Sequence, residues 1–181
     1  HTLPVNAIPR VLEQKGLRVM RKAELRTMLF FVDQLRDELI DSSVKGKNPF
    51  KDVRVRQAMA MAIDAEAISR QVMRGVSVPN YLLVGPGINA FDAALNAAPK
   101  RDIDAAKKLM ADAGYANGFE VGMQCSNDRY VNDEFICTAA VAMLARIGIK
   151  VNLKVMPFNQ LIKFLSPPYE TSLILAGWLP A

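Results

Sequence analysis

Histidine is almost missing from this chain. His1 is the only one in 181 residues, and it stands at the first position. The commonest general base and a common metal ligand are therefore absent from the interior. Cysteine is scarce as well: Cys125 and Cys137 fit no zinc spacing, and two cysteines do not make a small secreted disulfide framework. The pair could form one bridge in an oxidising compartment. With Cys125 at a strand end and Cys137 on a helix, the expectation is two small buried thiols. No apolar run approaches the ~20 residues needed to span a bilayer, and runs such as Leu173 to Ala176 are strand-sized. There is no initiator Met and no charged-then-apolar leader, as expected of a mature or truncated chain. A G-x-S-x-G elbow, a P-loop and a G-x-G-x-x-G fingerprint are all lacking; Gly85-Pro86-Gly87 is a turn. Asp133 and Glu134 are adjacent on a helix and point in different directions, which does not suit paired acid–base work. These absences exclude most catalytic classes, and no cofactor or metal is expected.

What is present is a globular composition. Hydrophobic residues make up 51% and charged residues 23%, enough for a real core. The net charge of +5 is spread from Arg10 to Lys163. Its densest cluster, Lys45, Lys47 and Lys51, has Asp41 and Asp52 nearby. A nucleic-acid binder would concentrate its excess on one face, so no nucleic-acid partner is expected.

Punctuation and periodicity divide the chain into elements. Asn6 to Lys15 reads as a short helix ending at Gly16. Leu17 to Arg21 alternates apolar and basic residues as a half-buried strand does. The run within Leu25 to Val32 reads as a strand buried on both faces. Residues 34–48 turn polar and are expected to run over the surface. Asp52 caps a helix with Val55, Ala58, Met59, Ala62 and Ile63 at helical spacing, and Asp64 caps the next, with Ile68 and Val72 inward and Gly75 as its stop. Residues 76–101 carry three Pro and two Gly without a period, which predicts a long ordered loop.

The second half alternates helix and strand. Asp102 caps a helix carrying Ala106, Leu109, Met110 and Ala113, closed by Gly114. Phe119 to Cys125 is a predicted strand, and Ile136, Ala140, Met143, Leu144 and Ile147 form a helix stripe stopped at Gly148. Ile149 to Val155 alternates strictly, as an edge strand with one solvated face does. Pro157 suits the first turn of a helix running to Leu165, and Ser172 to Trp178 is a continuous buried strand. Strands separated by such helices predict an α/β fold: a mixed, mostly parallel sheet with helices on both faces and right-handed crossovers.

In such sheets ligands sit beyond the carboxyl ends of the strands. The candidate binding loop is Ser126-Asn127-Asp128-Arg129-Tyr130. It brings together an amide, an arginine fork for a carboxylate and an aromatic platform.

The stretch Asn48-Pro49-Phe50-Lys51-Asp52-Val53-Arg54-Val55-Arg56-Gln57-Ala58, continuing to Ala62-Ile63-Asp64, resembles the signature of extracellular solute-binding protein family 5, the receptors of oligopeptide and dipeptide ABC importers. Further matches follow in order: Ala106 to Met110 ending in Ala113-Gly114-Tyr115, Leu144 to Val151 around Ile147-Gly148-Ile149, and Gly177-Trp178. The signature itself is structural, with Phe50 just outside the Asp52 cap and Ala58 and Ala62 allowing close helix packing.

The resemblance implies one lobe of a periplasmic-binding-protein type II-like fold, residues 1–181 forming a single ligand-binding lobe, the larger part of the C-terminal one. It implies a substrate-binding component, periplasmic or anchored outside the cell, that captures a peptide or other small organic solute between two lobes and delivers it to permease subunits. The missing N-terminal lobe would be the partner within the same chain. The candidate ligand-binding residues are Asn127, Arg129 and Tyr130 of the loop together with Gly177 and Trp178, which match the family's cleft-side Gly-Trp; the resemblance places Arg129 in the region where dipeptide receptors hold a terminal carboxylate. After Gly-Trp, peptide receptors commonly carry an Asp for the α-amino group, and Ala181 stands roughly there. That departure makes a non-peptide solute more plausible, since a free α-ammonium would lose a partner worth about 1.5–3 kcal/mol. The alternative function is a ligand-sensing module of a signalling or regulatory protein built on the same lobe.

Overall fold

A computed structural model of the chain describes residues 3–22 and 24–179. Four strands, β1 (Thr27–Val32), β2 (Phe119–Ser126), β3 (Ile149–Met156) and β4 (Leu173–Trp178), form one sheet in the order β1-β4-β2-β3. β2 runs parallel to both β3 and β4, while β1 pairs antiparallel with β4. The helices are α1 (Ile8–Leu12), α2 (Val53–Ala62), α3 (Ala65–Ala67), α4 (Ile103–Asp112), α5 (Asp133–Ala145) and α6 (Phe158–Leu161).

The three predicted aspartate caps are all made. Asp52 accepts from the Arg54 N–H at 2.8 Å, Asp64 from Ala67 at 2.8 Å and Asp102 from Ala105 at 2.9 Å. Each satisfies a donor that the first helical turn leaves without a partner. α3 widens into a π-helical turn over Ile68–Val72 before the chain leaves at Gly75.

Burial follows the sheet order. β2, third in the sheet, is buried along nearly its whole length, whereas β3 at the edge alternates over its first half, as predicted. β2 leads through α5 to β3, and β3 returns through α6 to β4 on the other side of β2. The right-handed crossover rule, applied to two connections that run in opposite directions, assigns α5 and α6 to opposite faces of the sheet. The main core lies on the α5 face, where Val121, Met123, Cys125, Leu173 and Leu175 meet Cys137 and Leu144 together with Val55, Ala58 and Met110. β4 and β2 pair only near Gln124 and Ile174. The earlier part of β2 is instead joined by Ser42, which bridges Val121, with the Gly122 N–H donating to the Asp41 carbonyl at 2.8 Å.

Several local expectations are corrected. Leu17 to Arg21 forms no strand: no partner strand among the described residues pairs with it, and alternation without a ladder does not hold a strand. β1 is not buried on both faces; it is the sheet edge, and Phe31 remains 40% exposed. The N-terminal helix is a 3₁₀ turn, Val5–Ala7, followed by α1, and it ends before Gly16. Pro157 is the N-cap of α6 rather than its first residue, and α6 gives way to 3₁₀ geometry over Ile162–Leu165. Cys125 and Cys137 are not two separate thiols. They are joined in a disulfide with Cα atoms 6.6 Å apart, because the β2 tip and the first turns of α5 face each other across the short connection.

Candidate functional site

The carboxyl tips of β2, β3 and β4 lie at one end of the sheet, and the chain segments leaving them carry the candidate residues. The connection from β2 to α5 is organised by one buried carboxylate. Asp133 Oδ2 accepts from the Ser126 hydroxyl at 2.6 Å and from the N–H groups of Tyr130 and Arg129 at 3.1 and 3.2 Å, while Oδ1 accepts from the Glu134 N–H at 3.1 Å. A carboxylate satisfied by that many donors fixes the backbone of the loop. Asn132, left-handed at φ 56°, donates from its side-chain amide to the Val72 carbonyl at 2.8 Å, tying the loop to the π-helical turn. Asp128 accepts from the Phe158 N–H at 2.7 Å and so attaches the same loop to the start of α6.

This scaffold orients a cluster around Tyr130. Its ring meets Phe158 edge-on, with centroids 6.3 Å apart. The Arg129 guanidinium lies over both rings, 5.3 Å from Tyr130 and 5.2 Å from Phe158. Such cation–π packing holds a guanidinium by its face and leaves its N–H edges available. Arg129 is exposed and takes part in no ion pair among the described residues. On the far side, Tyr130 Oη accepts from the Gly177 N–H at 3.1 Å, joining the β2 loop to the tip of β4. Glycine permits this approach: a Cβ on residue 177 would stand 2.5 Å from Arg26 Cδ and 2.9 Å from Tyr130 Cε1, so these side chains would have to shift.

Of the five residues singled out from sequence, Arg129, Tyr130 and Gly177 therefore form one contact chain. Asn127 is exposed in the same loop. Trp178 sits at the same end of the sheet, 44% exposed, but successive strand residues face opposite ways, so it leaves β4 on the other side from Gly177. Among the described residues no hydrogen bond or ring contact joins it to Arg129. Ala181 and His1 lie outside the described residues. Two participants were missed, Phe158 and Arg26. Phe158 was within reach of the carboxyl-tip rule, since it follows β3 directly. Arg26 was not, because it joins the site only through the antiparallel register that sets Thr27 opposite Trp178.

The arrangement has the chemistry of recognition: a guanidinium fork, two aromatic rings and oriented amides at an open edge. No group of His, Cys, Asp or Glu among the described residues could hold a metal ion. Two surface depressions, of about 570 and 330 Å³, lie elsewhere, around Asn48 and Tyr115 and around Lys107 and Arg146.

The fold defines the class first. It is one lobe of the periplasmic-binding-protein type II kind, superposing with a TM-score of 0.78 on the periplasmic binding protein DppA of Helicobacter pylori in complex with the peptide STSA. That match covers 97% of this chain and 31% of the other at 21% identity. The chain belongs to the bacterial extracellular solute-binding proteins, family 5, whose middle-region model matches residues 1–181. Among its relatives, heme-binding protein A of Haemophilus influenzae is 34% identical over 112 residues, covering 59% of this chain and 20% of that protein. Oligopeptide-binding protein AppA of Bacillus subtilis is 26% identical over 144 residues, covering 71% and 26%. The chain thus spans about a fifth to a quarter of the length of these curated relatives.

Proposed function

We propose that this chain is the larger part of the C-terminal lobe of the substrate-binding component of an ABC importer. The complete receptor captures a peptide or other small organic solute between two lobes and delivers it to membrane permease subunits. The observation that carries this reading is the family match across the whole chain, combined with an open recognition cluster at the carboxyl tips of the parallel strands. A lobe whose polar and aromatic groups converge at an open edge needs a second surface to bury a ligand, which is what closure of a missing N-terminal lobe would supply.

Arg129 takes the anionic group of the solute, with Tyr130 as the platform that holds its guanidinium and Gly177 as the position that lets β4 approach. Asn127 lies exposed beside Arg129, and Trp178 presents its exposed ring on the other face of the β4 tip. The family is one of solute-binding proteins, which supports a receptor that binds its solute without transforming it. A periplasmic or cell-surface setting agrees with the Cys125–Cys137 disulfide, since such bonds persist in oxidising compartments.

The test uses the full-length receptor purified from its own host. Native mass spectrometry should find a small solute carried over, and isothermal titration with that solute should give 1:1 binding. Arg129→Ala should weaken binding of an anionic solute tenfold or more while leaving the melting temperature nearly unchanged, because the side chain is exposed. A receptor that carries no solute and shows no thermal shift with any solute pool from its host overturns the reading.

A further inference from the structure

Arg26 carries an imbalance that packing alone does not explain. It precedes β1 directly, and its stem lies against Gly177. Its guanidinium is 5.4 Å from the centre of the Tyr130 ring, the same ring that Arg129 covers from 5.3 Å. An arginine grips a carboxylate best along the edge formed by Nε–H and Nη2–H, which makes two parallel bonds. Arg54 uses that edge on Asp52, with contacts of 3.0 Å from Nε and 2.6 Å from Nη2. On Arg26 the edge is half used. Nη2 meets one oxygen of Glu24 at 3.0 Å, while Nε is buried without a hydrogen-bond partner. The Arg26 side chain is only 14% exposed, and that of Glu24 is 64% exposed. A deeply set fork is therefore engaged at one tooth by a loosely held, local carboxylate.

Two cations thus share one tyrosine. The other acidic groups of the cluster accept from neutral donors and pair with neither guanidinium among the described residues: Asp128 accepts from the Phe158 N–H, and Asp133 from the Ser126 hydroxyl and the backbone N–H groups of Arg129, Tyr130 and Glu134. The guanidinium centres are separated by at most the sum of their distances to the ring, about 11 Å. That separation is within the reach of one small molecule with an acidic group at each end.

We propose that the side edge of Arg26 is a second anion subsite, exchanged from Glu24 to a carboxylate of the solute on loading, so that Arg26 and Arg129 together select organic solutes bearing two carboxylates. This rests on the receptor reading above and names its substrate class. Arg26 is the specificity-determining member, because its Nε–H is the donor of the pair that has no partner until a second carboxylate oxygen replaces Glu24.

The probes are glutarate and its monoamide, glutaramate, which share shape and differ in one charge. Both are titrated by calorimetry into the full-length receptor freed of carried-over solute. Glutarate should bind at least tenfold more tightly than glutaramate. Arg26→Lys, which keeps the stem and charge but not the fork, should erase that preference. Glu24→Gln, at an exposed position that leaves the fold intact, should tighten glutarate binding several-fold by releasing the fork. Equal binding of the two probes, binding of neither, or a preference that survives Arg26→Lys overturns the dicarboxylate assignment. Native mass spectrometry of carried-over solute is read independently. A receptor loaded with a solute having one acidic group or none sinks this inference and leaves the receptor reading standing.

Discussion

Reduction of the Cys125–Cys137 disulfide is the perturbation whose size follows most directly from the structure. The bond joins residues twelve apart, from the end of β2 to the first turns of α5, and encloses the loop that carries Asn127, Arg129 and Tyr130. In the chain-entropy account, closing a loop of that length removes about 10 cal/mol/K from the unfolded ensemble, or about 3 kcal/mol at 25 °C. Both sulfurs are buried, so the reduced thiols still fill their space, and the entropic share is separated from any cavity. The measurement is amide hydrogen exchange on the full-length receptor, oxidised and reduced, resolved to β2 and α5. Amides there that exchange through opening of the lobe should exchange on the order of a hundredfold faster after reduction, about 1.4 kcal/mol corresponding to each tenfold. Exchange rates unchanged within a factor of three would refute the reasoning, because they would mean that packing of α5 alone restricts the unfolded loop as much as the bond does.

Three more outcomes are expected. Gly177→Ala should force Arg26 and Tyr130 apart and break the Tyr130–Gly177 bond, costing about 1–3 kcal/mol as overpacking does, together with most of the affinity for an anionic solute; denaturant titration and calorimetry check both. Burial pushes the Asp33 carboxyl up, but the Arg36 side chain and the N–H groups of Leu35 and Arg36 outweigh it and hold it below its ordinary value. That stabilisation is complete above the ordinary carboxylate value near ~4 and is lost as pH falls through the lowered folded value. Asp33→Asn should therefore destabilise by about 1–2 kcal/mol at neutral pH, with the gap closing in acid when melting temperature is followed against pH. Trp178→Ala should change stability by less than about 1 kcal/mol, since the side chain is nearly half exposed; a loss above about 2 kcal/mol in urea would make it a core residue instead.

Much of the fold was legible because its punctuation is chemical. The three aspartate caps and the glycines at 75, 114 and 148, all with positive φ, set helix ends without tertiary help. Strict alternation in Ile149 to Val155 gave an edge strand, and the continuous apolar run at Leu173 gave an inner one. The errors share a cause, which is that pairing decided them. Leu17 to Arg21 had the alternation but no partner, and Met28 to Val32 had the run of a central strand but closes the sheet at its edge. The disulfide was undecidable from spacing, since a strand residue and a helix residue twelve apart meet only if the connection folds back. Phe158 was readable from its place after a strand. Arg26 was invisible to any local rule, because its neighbours Gly177 and Tyr130 are far away in sequence.

The position of the site follows from the crossovers. β2 leaves its carboxyl end through α5, and its neighbour β3 leaves its own through α6 on the way back to β4. Adjacent parallel strands whose connections depart to opposite faces leave a crevice between their tips that no connection fills. In this sheet the described departing connections are those of β2 and β3, and the loop after β2 reaches both neighbouring strands: Asp128 accepts from the Phe158 N–H that follows β3, and Tyr130 accepts from the Gly177 N–H of β4. The disulfide fastens one wall, Asp133 shapes its loop, and glycine at 177 admits the tyrosine and the two guanidinium groups that pack on it. A cluster held in this way keeps the exposed Arg129 guanidinium at a free edge, and under the proposed receptor reading that edge is where a second lobe would complete the ligand contacts.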